Sequence, residues 1–293
     1  MSLIGTMTSG VSAMESFEQG LSVIGNNIAN VNTTAFKSGS TSYADSFSNI
    51  LQSSSPAPGT GTGSDTDTIE VGTGVNVSGV TTNFTQGSLQ STGVASDLAI
   101  SGNGFFIVQD PSDGTDYATR AGNFTVNSQG YLVTSQGYVV QGLTGGSAGT
   151  APGTVGGIKL GTPPAGTQLE SYTIDGAGNF VETYSDGSTA TTNQILMQNF
   201  QNPAALTSIA GNIYSNLTAA QPVSGTSTLS AANNTAGTNG LGTIQSGALE
   251  LSNVDLTNEF ANLITTQRSF EAGSRLITIS DTILEDIVNL KTH

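Results

Sequence analysis

Three aspartates, Asp110, Asp113 and Asp116, fall within the heptapeptide DPSDGTD and offer oxygen ligands of the kind calcium takes. Their spacing does not follow the EF-hand pattern, so an Asp-rich hairpin turn is the better reading. Gly59-Thr-Gly-Thr-Gly63 has the glycines of a phosphate cradle but no Lys-Ser/Thr after it and no strand before it, which leaves a flexible linker. The chain has no Cys, and its one His is His293 at the end, so thiol, zinc and Ser-His-Asp chemistry lack their residues. Its acids are scattered through loops, and no two stand out as the facing pair that glycoside hydrolysis requires. No catalytic residue, cofactor site or metal site is therefore expected. The formal charge of -15 argues against nucleic acid and anionic membranes as partners. No apolar run approaches the length of a membrane span, so membrane insertion is not expected.

The elements carry more information than any single residue. Ile4, Met7, Val11, Met14, Phe17, Leu21, Ile24, Ile28 and Val31 recur at steps of three or four and predict one apolar stripe along an N-terminal helix. Gly5, Gly10, Gly20 and Gly25 weaken it by about 1 kcal/mol each relative to Ala, so this helix should form only when packed. At the other end Leu256, Leu263, Phe270, Ile277 and Leu284 repeat every seven residues. Phe260, Ile264, Leu276, Ile283, Ile287 and Leu290 widen that stripe, and Asp255 or Thr257 can cap its start. A helix over 256–290 would run about 50 Å at 1.5 Å per residue and needs a partner along its length.

Between the ends, residues 38–93 are rich in Ser, Thr, Gly and Asp, and Ser53 to Asp67 has linker composition. From Asp97 the strand signals Leu98 to Val108, Phe124 to Val126, Tyr131 to Val133 and Tyr138 to Val140 alternate with turns, and Tyr172 to Ile174 and Phe180 to Tyr184 flank Asp175-Gly-Ala-Gly-Asn179. The predicted fold class is α+β: a coiled-coil-like pair of terminal helices discontinuous in sequence, extended linkers, and a central, mainly antiparallel β domain. The expected division is a helical core of 1–32 plus 252–293, a linker region of 33–93 plus 240–251, and an outer β domain of 94–239 with a possible sub-lobe at 143–196.

A two-helix hairpin covers one side of each helix, and the C-terminal stripe is wider than that contact needs. The surplus surface marks assembly. Residues 1–31 carry only Glu15 and Glu18, and residues 252–293 hold six acids against three bases, so most of the negative charge sits in the middle. Repulsion therefore least opposes close packing of the termini. The expected self-assembly residues on the two stripes are Ile4, Met7, Val11, Met14, Leu21 and Ile28, and Leu256, Phe260, Leu263, Phe270, Ile277 and Leu284. Asn27 and Asn30, in the cluster Asn26, Asn27, Asn30, Asn32, suit a helix-to-linker corner that either caps locally or also touches a neighbour. Gln267 and Arg268 lie midway along the C-terminal helix, with Arg268 and Glu271 spaced for a weak pair that is either a solvated surface contact or part of an intersubunit one. Phe36 and Lys37 complete the set; Lys37 is read either as solvated or as bridging an acid of a neighbour.

The segments Ile24-Gly-Asn-Asn-Ile-Ala-Asn-Val-Asn32, Ala35-Phe-Lys37, Ser252-Asn-Val-Asp255, Thr265-Thr-Gln-Arg-Ser-Phe-Glu271 and Ala99-Ile-Ser-Gly-Asn-Gly-Phe-Phe-Ile-Val108 resemble the axial proteins of the bacterial flagellum, the rod, hook and hook-associated subunits. The family pattern usually has Gly where this chain has Ala35, which puts the local backbone in question. Phe36 to Phe47 is most similar to the hook protein, whereas the 53–67 stretch is similar to one carried by distal-rod proteins. The resemblance implies a hook subunit, a flexible universal joint for motility, with a distal rod subunit of the basal body as the alternative. It further implies a homopolymeric helical tube with the terminal helices inside and the β domain outside. The implied partners are other axial proteins (rod, hook cap, hook-filament junction) and the flagellar type III export apparatus. The implied location is the exported basal body and hook.

Overall fold

In a computed structural model that describes residues 3–54, 67–145, 153–161 and 166–291, the chain is α+β and divides into two compact units. The linker expected at 53–67 lies mostly outside the described residues.

The helical unit takes the described parts of Met1–Ala29, Gly39–Thr82 and Asp255–His293. It holds α1 (Leu3–Ala29), four strands, β1 (Gly39–Asp45), β2 (Ser48–Gln52), β3 (Ile69–Gly72) and β4 (Val75–Thr82), and α2 (Leu256–Lys291). The predicted helix ends agree with the observed ones to within a few residues. Asp255 Oδ1 accepts the backbone N–H of Thr257 at 2.9 Å, which satisfies one of the donors that a helix start leaves free. The helices run antiparallel: Thr6 meets Ser280, Gly10 meets Ile277, Gly20 meets Thr266, and Asn27 meets Glu259. The described residues of 39–82, expected to be extended linker, form two antiparallel ribbons, β1 on β4 and β2 on β3. None of these strands holds a fully buried residue; β4 alternates half-buried Val75 and Val77 with exposed Asn76 and Ser78, while β1 and β2 show no apolar/polar alternation that would announce them.

The β unit takes Asn30–Ser38 and Asn83–Val254. Its strands are β5 (Leu89–Ser91), β6 (Leu98–Ser101), β7 (Phe105–Gln109), β8 (Asp116–Thr119), β9 (Thr125–Val126), β10 (Leu132–Val133), β11 (Val139–Thr144), β12 (Thr154–Gly157), β13 (Leu169–Ile174), β14 (Asn179–Tyr184), β15 (Thr189–Ile195), β16 (Met197–Gln198), β17 (Thr207–Ile209), β18 (Ile213–Ser215), β19 (Thr243–Ser246) and β20 (Ala248–Glu250). The large sheet runs β13-β14-β15-β11-β7-β8-β18-β17 in antiparallel pairs, so the meander within 143–196 continues this sheet through β15 and β11. The run Leu98 to Val108, predicted as one strand, is two. Gly102 and Gly104 hold φ of +111° and +129°, backbone open to glycine, and the chain breaks there. The break lets β6 pair with β19 while β7 enters the large sheet. Phe106, Phe124, Phe180, Leu98, Ile100 and Ile195 fill one core of this unit, with Phe106 edge-on to Phe124. Phe105, Phe200 and Tyr214 build a second.

Candidate functional site

Two places collect the residues singled out in the sequence, one in each unit. In the β unit, Lys37 lies fully buried. Its Nζ donates to Glu250 Oε1 at 2.6 Å and to the Thr85 carbonyl at 2.8 Å. The other Glu250 oxygen faces Arg120 Nη1 at 3.3 Å, and Gly87 N–H donates to Oε1 at 2.9 Å. Lys37 therefore pairs with an acid of its own chain, not with the solvent or neighbouring acid considered above. Burial holds both the Lys37 amine and the Arg120 guanidinium below their ordinary pKa values, against the opposing pull of Glu250. Arg120 also lies 5.3 Å from the Phe105 ring centroid, while its buried Nε has no hydrogen-bond partner. One carboxylate thus pairs with two buried cations, one through each oxygen.

Backbone bonds close the same region. Ala35 N–H donates to the Glu250 carbonyl at 2.8 Å, Asn253 Oδ1 accepts Ser38 N–H at 2.8 Å, and Asn253 Nδ2 donates to the carbonyl of Asn83 at 2.8 Å. Residues 35–38, 83–87 and 250–253 are thereby clasped together, so the sequence motifs around Phe36-Lys37 and Asn253 find each other within one chain. Ala35, fully buried, sits at φ +55°, in the left-handed region where the related pattern carries Gly. Alanine tolerates that conformation at about 1–2 kcal/mol. Phe36 is half-buried beside Lys37, and Asn30 accepts both the N–H and the hydroxyl of Thr33, a local turn.

In the helical unit, Asn27 is buried and bonds both ways with the Gly39 backbone: Nδ2 donates to the carbonyl at 2.8 Å, and Oδ1 accepts the N–H at 2.9 Å. The same Nδ2 reaches Glu259 Oε1 at 3.1 Å. Met7, Met14, Leu21 and Ile28 on α1, and Leu263, Phe270, Ile277 and Leu284 on α2, are half-buried. Val11, Leu256, Phe260, Gln267 and Arg268 are exposed, and the side chain of Ile4 is outside the described residues. Arg268 and Glu271 make the spaced pair, 2.9 Å apart in solvent.

Sequence reasoning missed the role of the glycines. A methyl group at Gly10 would sit 3.1 Å from Ile277 Cγ1, one at Gly273 would sit 3.1 Å from Met14 Cγ, and one at Gly20 would collide with the Tyr43 hydroxyl. Two of the glycines that weaken α1, Gly10 and Gly20, are what admits α2 and the ribbon to close range, whereas Gly25 meets nothing within 4 Å.

The buried positions of the helical unit, among the described residues, are Gly10, Ser16, Gly20, Asn27, Gly273 and Ser280. None is a large apolar residue. Exposed apolar side chains instead run along α2, from Phe260 at 50% exposure and Ile264 to Ile283, Ile287 and Leu290 at 80%. The ribbons add Phe47, Ile50 and Leu51. The Asp-rich turn is also accounted for: Asp110 and Asp113 each accept a backbone N–H two residues on, and Asp116 accepts from Gln109.

A closed β unit carried with an amphipathic helical pair that hides no large apolar side chain defines a structural subunit with surface left for other chains. Known proteins give the class a family. Residues 7–37 match the model described as flagella basal body rod protein, 99–182 match the flagellar hook protein FlgE/F/G D1 domain, and 245–290 match the flagellar basal body rod FlgEFG protein C-terminal region. The flagellar basal-body rod protein FlgG of Bacillus subtilis is 38% identical over 289 residues, 99% of this chain and 100% of its own. FlgG of Caulobacter vibrioides is 33% identical, with 100% of both chains covered. The flagellar hook protein FlgE of Helicobacter mustelae is 47% identical over 141 residues, 48% of this chain and 31% of its own. This chain belongs to the flagellar rod and hook family FlgE/F/G, a family of structural proteins of the flagellum. No helix among the described residues is long and apolar enough to cross a membrane.

Proposed function

We propose that the chain is a rod subunit of the flagellar basal body, the distal rod in particular, and that it polymerises through the helical unit. The observation that carries polymerisation is the helical unit's own burial: its apolar stripe stays half-exposed or exposed while its buried positions are Gly, Ser and Asn. Covering one large apolar side chain is worth about 1.5–3 kcal/mol, so the open stripe of α2 stores several such contributions for neighbouring copies. Support for rod over hook comes from coverage, since the FlgG relatives align end to end and the hook relative over less than half of the chain. The hook reading, first on the segment after Phe36-Lys37, is second on this ground.

The stripe residues Met7, Val11, Met14, Leu21, Ile28, Leu256, Phe260, Leu263, Phe270, Ile277 and Leu284 belong to this assembly surface, and the division into helical core, connecting region and outer β domain is part of the same proposal. Other axial proteins and the type III export apparatus are its further partners. Deleting residues 1–29 or 256–293 keeps Lys37, Glu250 and Asn253. Each truncated chain should then be a folded β monomer that forms no polymer by sedimentation, and polymers persisting in either would sink the assembly reading. Immunogold labelling of isolated basal bodies separates the finer readings: signal on the rod is expected, and signal confined to the hook overturns it.

A further inference from the structure

Two charged faces of the helical unit complement each other yet make no ion pair with one another among the described residues. On α1, Val11, Glu15 and Glu18 are exposed and fall on one face at helical spacing. On α2, Ile264, Arg268, Glu271, Arg275 and Ile279 are exposed and again share a face. The first face is acidic with an apolar neighbour; the second is net basic between two isoleucines. Among the described residues Glu15, Glu18 and Arg275 make no salt bridge, and Arg268 has only the solvated contact with Glu271. Such an exposed pair holds Arg268 only weakly, so it is free to exchange partners.

We propose that the Val11–Glu18 face of α1 docks on the Ile264–Ile279 face of α2 in a second copy of this chain. The inference rests on the polymerisation reading above and names the contact within it. Arg268 and Arg275 are seven residues, about 10 Å, apart along α2, which leaves room for two acids one turn apart between them. Val11 lies about one turn from Glu15, the reach needed to cover one flanking isoleucine while the acids take the arginines. The contact joins different surfaces of the two copies, α1 of one to α2 of the next. A heterologous contact of this kind propagates into a ring or open helix, where a self-complementary contact would stop at a dimer.

Charge exchange tests it on the full-length protein. Glu15→Lys with Glu18→Lys, and separately Arg268→Glu with Arg275→Glu, should each lower polymer yield at least tenfold in low salt, measured by sedimentation and electron microscopy. The β unit should keep the hydrogen-exchange protection of the parent chain. The chain carrying all four changes should recover to within about threefold of the parent, because every copy then offers the reversed face to a reversed partner. Parent-like polymers from either charge-reversed chain, or no recovery in the fourfold variant, overturn the contact while leaving polymerisation intact. A parent chain that remains monomeric at every concentration overturns the assembly reading and this contact with it.

Discussion

In the β unit Phe106, Phe124 and Phe180 are closed off from water, whereas in the helical unit Phe260 and Leu290 stand in it. The two regions also treat charge differently. The β unit buries Lys37, Arg120 and Glu250 in one cluster, and the helical unit keeps Arg268, Arg275, Glu15 and Glu18 on its surface. Every fully buried apolar side chain among the described residues belongs to the β unit. The β unit closes its apolar core within one copy, and the helical unit leaves apolar surface that the proposed assembly would cover. A subunit built this way can be a stable monomer without being an assembled one, because its folding and its association draw on different residues.

The sharpest way to break this contrast is at Glu250. Glu250→Ala leaves two buried cations without their carboxylate and should destabilise the β unit by about 3–5 kcal/mol in denaturant melts. Hydrogen exchange in α1 and α2 should change far less. The converse change, Ile283→Ser on the exposed side of α2, should leave monomer stability within about 0.5 kcal/mol. It should raise the concentration needed for polymer by about tenfold or more, since about 1.5–3 kcal/mol of covered surface is forfeited. Equal loss of monomer stability in the two variants would erase the distinction between the units.

Alkali separates the units by a smaller margin. Burial, aided by the Glu250 charge, pushes the Tyr214 phenol up to about 12. A folded pKa above the unfolded value of about 10 means that Tyr214 adds stability below pH 10 which is lost as pH rises toward 12. The β unit should weaken across that window, and Tyr214→Phe should flatten this part of the profile. Ala35 gives the smallest effect. Replacing it with Gly relieves about 1 kcal/mol of left-handed strain but loses a buried methyl worth about 0.8 kcal/mol and adds freedom to the unfolded chain. The net change should stay below about 0.5 kcal/mol in melts; a gain above about 1 kcal/mol would show that the methyl contributes nothing.

What was legible in the sequence follows the same division. The heptad spacing from Leu256 to Leu284 and the turn Asp175 to Asn179 report local periodicity, and α2 and the β13–β14 hairpin stand where they indicate. Among the described residues of 39–82, the Ser- and Thr-rich β1 carries no apolar period, whereas the alternation Val75-Asn-Val-Ser78 in β4 was readable and was masked only by the polar composition around it. The partner of Lys37 was hidden for another reason: Glu250 is 213 residues away, and nothing near either residue encodes the meeting. The glycines were visible but misread, since their cost to an isolated helix is local and their use depends on the neighbour they admit.

The distance between Lys37 and Glu250 along the chain sets an order of events. A polypeptide emerging from its first residue onward exposes the lysine early and supplies its counter-charge only after more than two hundred further residues have appeared. At about 5–20 residues per second of synthesis, the amine waits more than ten seconds for that carboxylate. Until then, burying the amine would leave a charge without its carboxylate, a cost that weighs against closing this part of the β unit before its last strands arrive.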